Sequence, residues 1–266
     1  MTFFAALTLI LNVSNPFLAV SHSSDFQPIV ATQAVNFPNT ETDPIFFEDS
    51  VKHLYKAIKL EEYGLSYEVF RYGMIGYYSL EQEQKLSAKK LISVIDFTKP
   101  STEKRFYTID LEKLEVKFHT YVSHGKNTGA NSATSFSNVI HSNQSSLGFY
   151  ITAETYVGSK GYSLKLDGQD KGYNDNMRAR AVVMHEADYV SETWIKRYGR
   201  LGRSQGCPAL PKEISKEVIN TIKNGTLIFA YSDDLGYLNS SAHLKLEHLI
   251  QPAMANTSIT ASTIRQ

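Results

Sequence analysis

The sequence lacks several features that define common protein classes. A single cysteine, Cys207, in 266 residues excludes an intramolecular disulfide and a cysteine-ligated structural zinc. Neither charge is in excess, since 27 basic residues balance 27 acidic ones, so the electrostatic signature of a nucleic-acid binder is missing. No apolar run approaches the roughly eighteen residues that a membrane-spanning helix needs. We therefore predict a protein that binds no nucleic acid and has no transmembrane anchor.

The first fifty residues contain no lysine or arginine. Within them, Phe3–Leu11 is an apolar run followed by small, polar and proline residues, as in the apolar region of a signal peptide, although the usual basic start is missing. No cysteine follows the run, which excludes a lipoprotein anchor. We predict a signal peptide at 1–23, a linker at 24–44 and a soluble protein exported to the periplasm or cell envelope.

Aromatic residues make up 12% of the chain, and tyrosine and phenylalanine account for nearly all of them, which favours strands with one buried and one wet face. The N-terminal part, 45–90, is predicted to be helical. Apolar residues recur at helical spacing over Ile45–Tyr63, and Gly64 stands where that helix ends. A second helix is predicted over Leu80–Lys90.

Further along the chain the apolar period changes from helical to strand-like. The predicted strands are Leu91–Phe97, Arg105–Asp110, Leu114–Val122, Phe149–Val157, Tyr162–Leu166, Ala179–Met184 and Thr226–Tyr231. A long polar loop fills Ser123–Gly148, and a helix is predicted over Pro211–Lys223. The predicted fold class is mainly β, a β-rich α+β mixed sheet with flanking helices. We place its main domain at 91–238 and a polar tail at 239–266, with a short helix at 242–250.

Cys207 lies in an unusual local sequence, GRLGRSQGCPAL, between a predicted strand and a predicted helix. A free cysteine is most often a small buried apolar residue. A nucleophilic cysteine instead needs a cation, a base or helix N-terminal amides to favour its thiolate. Arg200 and Arg203 supply positive charge, and the helix near Pro211 presents its positive end. The pattern predicts a reactive thiol.

Pro208 limits how such a site stabilises an oxyanion. Proline has no backbone N–H, so the donors must be the amides of Gly206, Cys207 or Gln205, or a group from another segment.

Two of the eight histidines are candidate bases. His185 directly follows a predicted strand, 22 residues before Cys207, and His124 follows another strand and opens the polar loop. His119 and His141 are weaker candidates, because one lies inside a predicted strand and the other in polar loop. The others lie in the terminus, the helices or the tail: His22, His53, His243 and His248.

The sequence around His185 and Cys207 resembles the murein L,D-transpeptidase catalytic domain, in its divergent YkuD-like branch. The resemblance runs from about Leu91 to Tyr231. Further matching stretches are Val94–Phe97, Ser123–Gly129, Phe136–Asn138, Ser145–Tyr150 and Gly172–Ala181. The wider family has Ser-His-Gly-Cys at the nucleophile. Here Glu186 replaces the glycine after the first histidine, Gln205 replaces the second histidine, and Pro208-Ala209 follows the cysteine.

The resemblance implies an L,D-transpeptidase-like fold and a nucleophilic cysteine that forms a thioester with a peptidoglycan tetrapeptide stem. It implies cross-links or removal of D-Ala, with peptidoglycan stem peptides as partners and no metal or organic cofactor. The implied catalytic residues are Cys207 as nucleophile, His185 as base and Gly206 as oxyanion donor. The implied substrate-binding residues are Arg203, Arg200, Ser204 and His124.

Three other functions stay open at this point. The protein could be an L,D-carboxypeptidase only, since water can resolve the same thioester. A non-catalytic cell-wall-binding module on the same scaffold would leave Cys207 unused. A zinc peptidase could use His124, His141 and His185 with Asp188, although these spacings match no metal signature.

Overall fold

The computed structural model describes residues 44–249. The predicted signal peptide, nearly all of the predicted linker and the last part of the predicted tail lie outside the described residues. The described chain forms one eight-stranded mixed sheet with flanking helices, which confirms the predicted fold class.

The helices and strands follow each other in three blocks. Helices α1 and α2 come first, then the sheet strands β1–β6 in succession, and then helices that alternate with the last two strands. The strands are Leu91–Asp96 (β1), Phe106–Asp110 (β2), Glu115–Thr120 (β3), Gly148–Gly158 (β4), Gly161–Gly168 (β5), Val183–Glu186 (β6), Ala209–Leu210 (β7) and Leu227–Tyr231 (β8). The α-helices are Pro44–Ala57 (α1), Tyr67–Gln82 (α2), Glu192–Tyr198 (α3), Lys212–Ile222 (α4) and Leu235–Ser240 (α5), and a 3-10 turn spans Leu60–Tyr63.

The strand order is β3-β2-β1-β8-β4-β5-β6-β7. Two neighbouring pairs are parallel, β1 with β8 and β6 with β7, and the other pairs are antiparallel. In the β6–β7 pair, His185 stands opposite Ala209. The edge of the sheet therefore brings the two sequence regions of His185 and Cys207 together.

Helix α2 packs directly on the middle of the sheet. Ser66 caps its start by accepting a hydrogen bond from the Val69 amide. Glycine is needed at position 76, because a Cβ there would lie 2.0 Å from the Phe149 ring. The N-terminal helices and the sheet share one hydrophobic core. The residues of the predicted N-terminal helical part therefore pack in the same core as the strands.

The second predicted helix is wrong in position. It was expected over 80–90, but α2 starts thirteen residues earlier, at Tyr67, and the chain after Gln82 turns through Gln84 at positive φ. Two glycines and several aromatic residues within α2 weaken its helical propensity, and packing on the sheet overrides this.

The strand predicted over Ala179–Met184 is shifted. Its first residues lie in a turn that ends at Ala181 with a positive φ, and β6 begins at Val183. His185 accordingly lies within β6 and not after it.

The first part of the predicted polar tail packs on the fold. Instead of a helix over 242–250, the chain makes two 3-10 turns, Ala242–Leu244 and Leu246–His248. Leu244 is buried, and the His243 ring lies 3.2 Å from the Ser79 hydroxyl on α2. A few apolar residues in a polar stretch therefore suffice to dock it.

Among residues 44–249, no helix combines the length and apolar character that crossing a membrane requires.

Candidate active site

Cys207 lies two residues before β7, beside the start of β6. The Val183 amide, at the first residue of β6, donates a hydrogen bond to Cys207 Sγ at 3.5 Å. The sulfur also lies 4.0 Å from the Ala181 carbonyl oxygen. The thiol is partly exposed. The sulfur thus accepts the hydrogen bond of the Val183 amide, which lies before the paired part of β6 and β7 and has no β7 carbonyl opposite it.

Ser204 closes the turn that carries the cysteine. Its hydroxyl donates to the Cys207 carbonyl at 2.6 Å and accepts from the Gly206 amide at 3.0 Å. Gly206 has φ +120°, and a Cβ there would lie 2.8 Å from the Gln144 carbonyl oxygen. The turn therefore needs glycine at this position for its backbone. The predicted roles change accordingly: Ser204 holds the turn, and the Gly206 amide is already bonded.

Opposing influences act on the Cys207 thiol. Burial raises its pKa, whereas the amides of Val183 and of Cys207 itself and the charges of Arg180 and Lys160 lower it. Burial prevails, so the pKa of the thiol lies above its usual value. A thiol of this kind needs a base to become a nucleophile at neutral pH.

His185 has the protonation state that a base requires. It is buried, and its Nδ1 lies 2.7 Å from the Glu186 carbonyl oxygen. Because a carbonyl only accepts, Nδ1 carries the proton and Nε2 keeps its lone pair. Burial lowers the pKa of the His185 imidazole below its usual value, so the ring is neutral near pH 7.

The thiol and the imidazole are not hydrogen-bonded to each other. Within residues 44–249, Cys207 Sγ has Val183 and Ala181 as its hydrogen-bonding neighbours, and no acceptor or donor binds His185 Nε2. The sequence predicted both residues from their local context, and the β6–β7 pairing brings their segments side by side.

His124 occupies a structural position. Arg105 donates to its Nδ1 at 2.7 Å, and its Nε2 lies 3.3 Å from the Gly129 carbonyl oxygen. Because an arginine only donates, Nδ1 is the acceptor and Nε2–H the donor. Burial, and then the Arg105 charge, lower the pKa of His124 to about 4. With both nitrogens bonded inside the protein, the ring has none left for a substrate, contrary to the prediction.

Arg203 and Arg200 bind backbone carbonyls. Arg203 donates to the carbonyls of Lys126 and Gly129, and so ties the cysteine loop to the start of the polar loop. Arg200 donates to the carbonyl of Leu201 at 2.7 Å. Each arginine uses only its Nη1 in these contacts, so recognition of substrate carboxylates by Arg203 and Arg200 stays a prediction.

Arg180 and Lys160 are the cations whose charges act most strongly on Cys207. Lys160 is exposed, in the turn between β4 and β5, and Arg180 lies in the turn before β6. Sequence reasoning missed both in this role. The sequence signal for Arg180 is the Met-Arg-Ala-Arg stretch within Gly172–Ala181, which carries two positive charges ahead of His185.

The histidines and aspartate of the zinc-peptidase alternative do not form a site. In the part of the chain that the structure describes, no three His, Cys, Asp or Glu residues are placed to hold a metal ion. The two nitrogens of His124 are already bonded within the protein.

Comparison with known proteins gives a family and several structures. The model of a family described as the L,D-transpeptidase catalytic domain matches residues 61–231, more than half of the chain. No curated protein matches the sequence.

Three solved structures illustrate the similarity. An L,D-transpeptidase from Mycobacterium smegmatis is 13% identical over 54% of this chain and 59% of its own, with a TM-score of 0.34. L,D-transpeptidase 3 from Mycobacterium tuberculosis is 14% identical over 54% of this chain and 62% of its own, with a TM-score of 0.34. An L,D-transpeptidase from Stackebrandtia nassauensis is 14% identical over 70% of this chain and 78% of its own, with a TM-score of 0.33. The chain thus spans less than two thirds of the two mycobacterial proteins.

Proposed function

The chain belongs to the L,D-transpeptidase catalytic domain family, and from that premise we propose that it is a cysteine-dependent peptidoglycan L,D-transpeptidase. The family predicted from the motifs is thereby confirmed. The proposed substrate is a tetrapeptide stem, the nucleophile is Cys207 and the base is His185.

In the first proposed step, His185 Nε2 takes the proton of the Cys207 thiol. The sulfur attacks the carbonyl carbon that joins the third stem residue to D-Ala. The C–N bond of the tetrahedral intermediate then breaks, and His185 returns the proton to the leaving amine. D-Ala departs, and the stem stays on the sulfur as a thioester.

In the second proposed step, a nucleophile resolves the thioester. An amine of a neighbouring stem attacks the same carbonyl carbon, His185 accepts its proton, and the C–S bond breaks to give a cross-link and the free thiol. When water attacks instead, the product is a shortened stem carboxylate. Transpeptidase and L,D-carboxypeptidase activities therefore share one intermediate.

The oxyanion of each tetrahedral intermediate needs backbone donors near Cys207. The Gly206 amide is bonded to Ser204, and Pro208 has none. Within the described residues, no acceptor from another residue binds the amides of Gln205 and Cys207. We assign the oxyanion to these two amides and leave the Gly206 amide to the turn.

One observation carries the proposal: parallel pairing of β6 with β7 sets the protein's single cysteine next to a strand that holds a neutral histidine with an unoccupied Nε2. His124, by contrast, has both of its nitrogens bonded within the protein. For the reaction, the thiol must leave its contact with Ala181 and turn toward His185.

We also propose that the protein works in the periplasm or cell envelope, where this substrate lies. The proposal rests on the apolar N-terminal segment and on the family. The catalytic unit is proposed to cover 91–238, with α1 and α2 supporting its sheet.

The experiment incubates the purified protein with disaccharide-tetrapeptide stems and analyses products by mass spectrometry, with Cys207→Ala as the control. Loss of D-Ala together with dimers supports transpeptidation, and loss without dimers identifies a carboxypeptidase. If wild type and Cys207→Ala both leave the stem intact while an active family member works in the same mixture, the non-catalytic module is correct.

A further inference from the structure

Arg180 is bound by the polar loop that follows β3. Its Nη1 donates to the Ser137 carbonyl and to the Ser146 hydroxyl, and its Nη2 donates to the Ser142 hydroxyl and to the Gln144 carbonyl. All four Nη protons are thus used by one stretch of loop. Such a planar set of donors fixes the position of the guanidinium closely.

The same loop stretch touches the cysteine turn. A Cβ on Gly206 would lie 2.8 Å from the Gln144 carbonyl oxygen and 3.3 Å from Arg180 Nη2. Cys207 Sγ, on the next residue, lies against the backbone of Ala181 and Val183, just after Arg180 in the chain. The guanidinium therefore borders the nucleophile turn directly.

Arg180 has no carboxylate partner within residues 44–249, although it is half-buried. Its four acceptors are uncharged oxygens. Arg178, two residues earlier, forms ion pairs with Glu154 and Asp167 on the exposed face of the sheet. Because a half-buried cation is unfavourable without a counter-charge, the position of Arg180 calls for an anion that forms beside it.

We propose that Arg180 is a positioning residue of the site, whose charge stabilises the Cys207 thiolate and whose donors hold the loop around Ser142 against the cysteine turn. That this thiolate serves catalysis rests on the proposed function. The effect of Arg180 on the Cys207 thiol can nevertheless be tested without any substrate.

Other groups also face the thiol and must be separated from Arg180. They are Lys160 from the β4–β5 turn and Tyr189 from the segment after β6. His185 lies on β6, the strand whose Val183 amide bonds the sulfur. Burial and then the negative charge of Cys207 raise the pKa of Tyr189 to about 12, and the Arg180 charge lowers that of Cys207.

The test measures the rate of Cys207 alkylation by iodoacetamide as a function of pH. In Arg180→Met we expect the apparent pKa of the thiol to rise by about one unit, which makes alkylation near neutral pH about tenfold slower. Arg180→Lys should recover at least half of this shift, because it keeps the charge. Arg178→Met, which removes a nearby charge that has its own carboxylates, should behave as wild type.

Two further variants separate charge from structure. Ser142→Ala removes one acceptor of the guanidinium and should leave the thiol pKa unchanged. Arg180→Gln is a second neutral variant that keeps an amide for the loop, for use if Arg180→Met does not fold. Far-ultraviolet circular dichroism establishes folding for each variant.

A wild-type alkylation profile in a folded neutral variant overturns the proposal. An Arg180→Lys profile that is shifted as far as the neutral variants also overturns it, since a purely structural role predicts equal losses. If stems are not processed while the alkylation shift is found, the proposed function fails and the role of Arg180 stands.

Discussion

His124 and His185 are two buried histidines that the structure places in opposite roles. Both rings are nearly inaccessible, at 1% and 3% exposure, and burial lowers the pKa of both. His124 has both nitrogens bonded to Arg105 and Gly129, whereas His185 uses one nitrogen on its own strand. Burial and a lowered pKa therefore do not identify a base. The two rings differ instead in Nε2, which is bonded in His124 and unbonded in His185, on the strand that pairs with β7.

The largest expected difference between the two histidines is in catalysis. His185→Gln should lower kcat/KM for tetrapeptide stems by about 10²–10⁴-fold, because it removes the general base. His124→Gln should lower it by less than about tenfold if the variant folds. Release of D-Ala, measured at equal folded concentrations, gives both values. Equal losses in the two variants would contradict the distinction.

Stability at low pH should depend on the protonation of the buried His124. The folded state keeps His124 neutral down to about pH 4, while the unfolded chain binds the proton near pH 6.5. The free energy of unfolding is therefore not reduced by His124 above pH 6.5. As the pH falls from 6.5 to about 4, protonation of His124 in the unfolded chain lowers the free energy of unfolding by up to about 3 kcal/mol.

Urea unfolding of the wild type and of His124→Gln at a series of pH values in this window measures that loss. The variant should show a weaker dependence on pH. His185→Gln serves as the comparison, because the pKa of His185 is lowered in the same direction. If His124→Gln keeps the full dependence, His124 is not the group responsible.

At neutral pH, His124→Ala should lower the free energy of unfolding by about 1–3 kcal/mol, because it removes one buried acceptor of Arg105 Nη2 and leaves the guanidinium with the Val122 and Lys99 carbonyls alone. Arg105 is fully buried, and burial lowers its pKa to about 9. Chemical denaturation near pH 7 provides the value. A loss no larger than that of an exposed substitution would mean that the Val122 and Lys99 carbonyls alone satisfy Arg105.

The smallest effect is expected at His119 on strand β3, whose ring stacks on that of Tyr107 on β2. His119→Gln should change stability by about 1 kcal/mol or less and leave stem processing unchanged. The same unfolding and D-Ala assays provide this baseline. A large loss of activity here would show that the assays respond to any histidine of the sheet.

The sequence predicted those features that are encoded locally. Strand-like apolar patterns predicted β1–β5, an unbroken apolar run predicted β8, and the apolar spacing after Pro211 predicted α4. The same local patterns identified His185 and Cys207, although His185 was expected after its strand and lies within β6. The β6–β7 pairing places their two segments side by side, and the family that the motifs indicated matches residues 61–231.

The roles of the arginines could not be predicted in this way. Arg203 lies close to Cys207 in sequence, yet its guanidinium binds carbonyls of Lys126 and Gly129, far away in the chain. Arg180 is distant from Cys207 in sequence and borders it in space. Long side chains reach partners that only the tertiary structure selects, so proximity in sequence was a poor guide.

The central claim is that Cys207 forms a covalent bond with the stem peptide and that His185 enables it. Intact-protein mass spectrometry during incubation with disaccharide-tetrapeptide tests this most directly, with Cys207→Ala and His185→Gln in parallel. We expect a wild-type adduct equal in mass to the stem donor minus D-Ala, located on the peptide that contains Cys207. The adduct should be absent in Cys207→Ala and should form far more slowly in His185→Gln. Stem turnover that persists in Cys207→Ala would contradict the account.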